Sequence, residues 1–177
     1  IWRLARDEQY AKWASRVGPD TCQISFFGTE ETQDWFYPRK GAFKDCINAT
    51  EQLLEVGIKP RWQVFLNRKR LPQRDNLIKL VVRLRIRERS EAFGGEFDIF
   101  LHLPCPDGEA RKIEHLRPVI DEVVSSPTEL IESTKKHFGT ERLWQTEGQL
   151  HNEILSGEEY FPYGYESPEK LWLYITN

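Results

Sequence analysis

Apolar positions recur at helix and strand spacings in an orderly succession along the first hundred residues. Leu4, Tyr10, Trp13, Ala14 and Val17 fall mostly three, four and six apart, as one helix face would place them, and Gly18-Pro19 then stops the run. Residues 21–27 (TCQISFF) are rich in strand formers and bounded by Pro19-Asp20 and Gly28, which predicts a buried strand. A polar connection over residues 29–41 leads to a helix at 42–56, with Phe43, Cys46, Ile47, Thr50, Leu53 and Leu54 on its apolar face and Gly57 as its cap. The pattern repeats as a strand at 61–66, a polar loop at 67–74, a helix at 75–84 and a strand at 97–103. Strand starts at 21, 61 and 97 lie 40 and 36 residues apart (61 − 21 and 97 − 61), with one helix expected in each gap. That spacing predicts an α/β fold of βα units with right-handed crossovers and a parallel sheet. Beyond Pro104 the regularity fades into expected helices at 116–124, 128–138 and 141–155, a turn-rich stretch at 157–168 and a terminal strand at 171–176.

Composition narrows the class. A chain of 177 residues, 39% hydrophobic and 12% aromatic, can close one real core. No stretch approaches the roughly 18 uninterrupted apolar residues of a membrane helix, and residues 1–10 are charged throughout, unlike an export signal or a transit peptide, so a cytoplasmic protein is expected. The sequence begins at Ile1, contains no Met and ends inside the apolar run LWLYIT, so a piece of a longer protein is expected. Cys22, Cys46 and Cys105 are 24 and 59 residues apart (46 − 22 and 105 − 46), too scattered for a short metal-binding pair, and predict free thiols, buried at Cys22 and Cys46.

Charge is uneven. Residues 59–89 hold 11 basic and 2 acidic side chains, whereas residues 90–177 hold 7 and 17, within an overall net charge of −3. The basic block could contact nucleic acid or an acidic protein partner as a noncatalytic binding module. The plainer expectation is that its arginines pair with the acidic C-terminal third of the same molecule.

Ligands of parallel α/β sheets lie beyond the carboxyl ends of the strands, where loops converge. Three loops qualify: one after Ser25-Phe26-Phe27-Gly28 that runs on to Arg39, one opening at Asn67-Arg68, and one opening at His102. Ser25 falls where a strand side chain can point into the mouth, Gly28 permits a tight turn, and Arg39 offers a planar fork of donors to a carboxylate or phosphate. Arg39 could equally pair with Glu30, Glu31 or Asp34 within its own loop. Gln63, Asn67 and His102 are the other strand-end side chains that would line a substrate space, although His102 reads first as a structural histidine. An ordinary hydrolase or aldolase using His102 with Asp107 or Glu109 has no nucleophile elbow, histidine pair or phosphate loop behind it.

The run ISFFGTEETQDWFYPRKGAF, a following helix and then EVGIKPRWQVFLN resemble the later half of the radical S-adenosylmethionine barrel. The ordered features are Ser25 with Gly28, Glu30 with Asp34, Arg39 with Gly41 and Phe43, and Gly57 with Ile58. The resemblance implies a partial TIM-type barrel over residues 1–103 and a mainly helical extension over 104–177 that ends in a strand. It implies that Ser25 and Arg39 contact the ribose and carboxylate ends of S-adenosylmethionine. The cofactors it implies are S-adenosylmethionine and a 4Fe-4S cluster, the partners a small-molecule or peptide substrate and a reductant such as a flavodoxin or ferredoxin. The Cys-x3-Cys-x2-Cys triad that holds such a cluster is not in this sequence, and neither is the glycine-rich segment that holds the cofactor's amino group. Both are expected N-terminal to Ile1, and the chain alone is expected to be inactive.

Overall fold

The computed structural model describes residues 1–69, 71–102, 108–139, 152 and 155–156. A three-stranded parallel sheet organises them: β1 (Thr21–Phe26), β2 (Lys59–Phe65) and β3 (Asp98–His102), in the order β1-β2-β3. The α/β class, the three strands and their parallel pairing are as the spacing predicts. Each crossover carries two helices instead of one: α3 (Glu30–Phe36) and α4 (Ala42–Glu55) join β1 to β2, and α5 (Arg74–Arg83) and α6 (Ile86–Glu91) join β2 to β3. Before β1 stand α1 (Trp2–Arg6) and α2 (Glu8–Val17), and after β3 a 3₁₀ segment (Gly108–Leu116), α7 (Ile120–Val124) and α8 (Thr128–Phe138). Among the described residues no helix is long and apolar enough to cross a membrane.

Local chemistry explains where expectation and structure part. The single helix expected through Leu4 and Val17 is cut at Asp7, whose extended backbone (φ −128°, ψ 95°) places its carboxylate to accept from Gln9 N at 3.0 Å and Tyr10 N at 3.1 Å. That cap starts a new helix and satisfies its first amides. The polar connection over 29–41 holds α3 because two of its polar residues, Thr32 and Gln33, are buried and act as core. The loop expected over 67–74 tightens into a 3₁₀ turn (Leu71–Gln73), and α6 follows Arg85, which sits at φ 52°. The predicted cap of α4 is realised at Gly57 (φ 74°): Ile58 N donates to Leu53 O at 2.9 Å and Gly57 N to Leu54 O at 3.4 Å, closing the paired bonds of a Schellman turn. In place of a helix at 116–124 there are the 3₁₀ segment and the shorter α7, whereas α8 keeps its expected bounds. Most of the expected helix at 141–155, the turns at 157–168, the strand at 171–176 and Cys105 lie outside the described residues.

The sheet has two unlike faces. On one, register rows Ile24↔Trp62↔Ile99 and Phe26↔Val64↔Leu101 are 0–2% exposed beneath the helices, α4 among them. Trp62 is the centre of this core: its ring lies 4.4 Å from Phe26 and 5.6 Å from Phe97, and its indole N–H donates to Thr50 Oγ1 at 3.1 Å. Cys46 lies in the same core and Cys22 packs against it; burial pushes both thiols up, Cys46 to about 11, so each is a neutral apolar filler at pH 7.

Candidate functional site

The other face carries side chains of alternate strand residues in three cross-strand layers. Gln23, Arg61 and Asp98 form the first, Ser25, Gln63 and Phe100 the second, and Phe65 with His102, flanked by Phe27, the third. Arg61 Nη2 donates to Gln23 Oε1 at 2.9 Å, Gln23 Nε2 to Gln63 Oε1 at 2.8 Å, and Ser25 Oγ to the same Gln63 oxygen at 3.2 Å. Above this polar lattice Phe27 stacks on Phe65 at 4.6 Å with 10° between planes, and His102 meets Phe65 edge-on at 4.9 Å. Burial, then the nearby His137, holds the His102 imidazole below its ordinary value, so it is neutral at pH 7.

Three side-chain amides clamp the turn after β1. Lys59 N donates to Asp20 O, so by the two-residue period of a strand the even-numbered residues of β1 turn their backbone groups to β2, and the odd-numbered ones face its free edge. At that edge the fully buried Gln33 acts as one peptide of a missing neighbour: Oε1 accepts from Phe27 N at 2.6 Å and Nε2 donates to Ser25 O at 3.0 Å. Asn67 Nδ2 donates to Phe27 O at 2.9 Å, and Gln73 Oε1 accepts from Thr29 N at 3.1 Å and Thr29 Oγ1 at 2.9 Å. Gly28 is required between them, since a Cβ there would stand 2.4 Å from Thr32 Cβ. At the free edge of β3 the buried Thr134 of α8 accepts from Leu101 N at 2.9 Å, while His137 of the same helix covers part of the layered face, stacking on Phe100 at 3.7 Å with its Nδ1 2.6 Å from Asp98 Oδ2.

Ser25, Gln63, Asn67 and His102 therefore belong to one face and its carboxyl end, as expected, but Arg39 does not join them. Its guanidinium bonds Asp45 of α4, which is 5% exposed and also receives two hydrogen bonds from Arg6, at 3.0 and 3.1 Å. Asp34, the in-loop alternative, is taken instead by the amides of Gly41 and Phe43 at the start of α4, at 2.6 and 2.9 Å. Among the described residues no hydrogen bond joins Arg39 to Ser25. Desolvation by itself would raise the Asp45 carboxyl, yet the hydrogen bonds and charges of Arg6 and Arg39 outweigh it and hold the group below the usual carboxylate range. A carboxyl depressed in the folded state contributes stability above its unfolded value of about 3.9, and that contribution disappears as pH falls through the folded value. Because both arginines are about half exposed (55% and 42%), the contribution is discounted to about 1–2 kcal/mol at pH 7. In urea titrations the parent chain is expected to exceed Asp45→Asn by that margin at pH 7 and to lose the advantage from about pH 5 downward; a gap independent of pH would contradict the pairing.

Much of the basic block is engaged within the molecule. Arg68 pairs with Glu122 at 3.0 Å, Arg89 with Glu51 at 2.6 Å and Arg87 with Glu129, while Arg74 Nη1 donates to Glu122 O and Ser126 Oγ at 2.9 and 2.8 Å. Lys69 lies over the Trp35 ring at 4.2 Å. Pairing with the acidic C-terminal third, the plainer expectation, accounts for Arg68 and Arg87; Lys79, Arg83 and Arg85 make no ion pair among the described residues.

Gln33, Gln73, Thr134 and Asp45 had no signal in the sequence, since each is a polar residue that only its tertiary neighbours make structural. Among the described residues no group of three His, Cys, Asp or Glu side chains could hold a metal ion. Compared with protein-family models and with curated proteins, the sequence matches none.

Proposed function

We propose that the chain is the later half of a radical S-adenosylmethionine barrel, with its layered sheet face as inner wall and its strand ends as part of the cofactor and substrate seat. The observation that carries this reading is the contrast between the two faces. Parallel sheets are ordinarily covered by apolar packing on both sides, whereas a barrel wall is lined inside by stacked rows of side chains contributed by neighbouring strands. The three rows from Gln23 to His102 have that organisation. In this reading Ser25 Oγ, which donates to Gln63, keeps its lone pairs for a ribose hydroxyl, and Gln63 Nε2, with no partner among the described residues, is a second donor. His102, neutral and beside the Phe65 ring, lines the substrate space. Arg39 is left out of the seat, because Asp45 holds its guanidinium.

The cysteines of the described chain do not fit a cluster. Cys46 is buried, takes a hydrogen bond from Gln33 Nε2 at 3.3 Å and has a thiol raised to about 11, and burial raises the Cys22 thiol as well. The 4Fe-4S ligands would have to come from outside this chain. The chain's own part is to bind and orient S-adenosylmethionine and a small-molecule or peptide substrate, in a cytoplasm that keeps free thiols reduced and supplies a flavodoxin or ferredoxin as reductant.

The test begins with the reading frame upstream of Ile1. A Cys-x3-Cys-x2-Cys triad there, together with reductant-dependent formation of 5′-deoxyadenosine by the anaerobically reconstituted intact protein, is the expected result. A frame with no such triad overturns the reading. In the active protein Ser25→Ala is expected to raise KM for S-adenosylmethionine about tenfold, the worth of one lost hydrogen bond.

A further inference from the structure

Arg68, Arg74, Arg87 and Arg89 are held by partners within the molecule, whereas Lys79, Arg83 and Arg85 form no ion pair among the described residues. These three gather in one place. Lys79, Val82 and Arg83 make an exposed stripe of α5, the last two lying three and four residues beyond the first, and the exposed Arg85 follows in the turn to α6. Asp75 and Glu88 are one helical turn along the chain from Lys79 and Arg85, yet neither pairs with them. The arrangement works against the fold. Like charges one turn apart, at Lys79 and Arg83, repel. Arg85 holds a left-handed backbone (φ 52°) just past the end of α5, where helices ordinarily carry glycine, and every other positive-φ residue among those described is a glycine. The turn is fixed by what flanks it: Arg85 N donates to Val82 O at 3.0 Å, and the fully buried Ile86 ties α6 to the core. Glycine would serve this turn better, so the guanidinium answers a need other than folding.

We propose that Lys79, Val82, Arg83 and Arg85 form a docking surface for an acidic protein segment in which carboxylates flank an apolar side chain. Charge complementarity supplies the attraction. The three cations stand on a chain whose net charge is −3, so the patch is a local feature and not a by-product of a basic protein. Val82, 66% exposed among them, selects the partner's class. It gains by being covered with another apolar side chain and gains little under a sugar-phosphate backbone, and none of the four residues is an aromatic on which a base would stack. So small a surface supports a weak, readily reversible complex. It is separate from the strand-end site, because α5 carries the chain back from the carboxyl end of β2 toward the start of β3.

Three fluorescein-labelled probes test it on the intact 177-residue chain: an acetylated peptide of four Glu-Leu-Ala-Glu repeats, its copy with glutamine for every glutamate, and an oligothymidylate. Fluorescence anisotropy in low salt is expected to show saturable binding of the acidic peptide, at least about tenfold tighter than either other probe and weakened by added salt. In NMR spectra the backbone amides of Val82, Arg83 and Arg85 are expected to shift during the titration. Arg83→Gln is expected to weaken the complex about tenfold with little change in the urea midpoint of unfolding. Arg85→Gly separates docking from folding, since it removes a docking cation and relieves the left-handed backbone in one step: binding is expected to fall while the urea midpoint rises. A residue kept for the fold would lower the midpoint instead. That lowered midpoint, unchanged binding in either variant, no binding of the acidic peptide, or oligothymidylate bound as tightly as the peptide overturns the proposal. The probes need neither cofactor nor upstream sequence, so the outcome is independent of the barrel reading.

Discussion

Replacing Trp62 with alanine is expected to remove about 3–5 kcal/mol of folding stability. The side chain is fully buried in the middle strand, between Phe26 of β1 and Phe97 at the entrance to β3, and no backbone movement can close a void bounded by a hydrogen-bonded sheet on one side and helices on the other. Its indole N–H also serves Thr50, whose hydroxyl donates in turn to Cys46 O at 2.9 Å, so the substitution also leaves the buried Thr50 oxygen of α4 without its donor. Trp62→Phe keeps a ring but gives up the N–H and part of the volume, and about 1–2 kcal/mol is expected for it. Urea unfolding at constant slope measures both, and the phenylalanine variant keeps the comparison open should the alanine chain fail to fold. A loss under about 1 kcal/mol for alanine would mean that the covered face is not a close-packed core.

Gln33→Leu is the next largest, at about 2–4 kcal/mol. Leucine has nearly the same volume, so packing is preserved while Phe27 N–H and Ser25 C=O both lose their partner in a place closed to water. Each stranded group costs about 1–3 kcal/mol. The loss should also be local: hydrogen exchange of the Phe27 amide is expected to accelerate in Gln33→Leu, whereas the Leu101 amide, held by Thr134 at the opposite edge, keeps its protection. Equal acceleration at both amides would mean global destabilisation and no specific role at the β1 edge.

These two residues mark the range of what could be read in advance. Trp62 lies in a run of alternating character, RWQVFL, and a strand was predicted there because a two-residue period needs no knowledge of the partner. Gln33 lies in a polar stretch that reads as a connection, and its burial follows only from α3 folding back over the end of β1. Asp7 is intermediate: it is an ordinary cap residue, but in sequence it falls inside a helical period, and the period masks the cap.

The candidate site divides along the same line. Ser25, Gln63 and His102 could be named from strand parity, because residues two apart share a face whatever the sheet contains. Arg39 could not be assigned, because a guanidinium on a flexible stem goes to whichever carboxylate the fold places within reach, and that was Asp45 of the next helix together with Arg6 from α1. The sequence by itself determined the α/β class, the three strands, the bounds of α8 and the capping of α4 at Gly57, all of which depend on periodicity or on backbone conformation within a few residues. Only the tertiary structure decided which polar side chains became part of the framework, with Gln33 and Thr134 completing the sheet edges and Asn67 left holding an unused acceptor, because hydrogen-bond partners distant in sequence are chosen by packing and leave no local pattern.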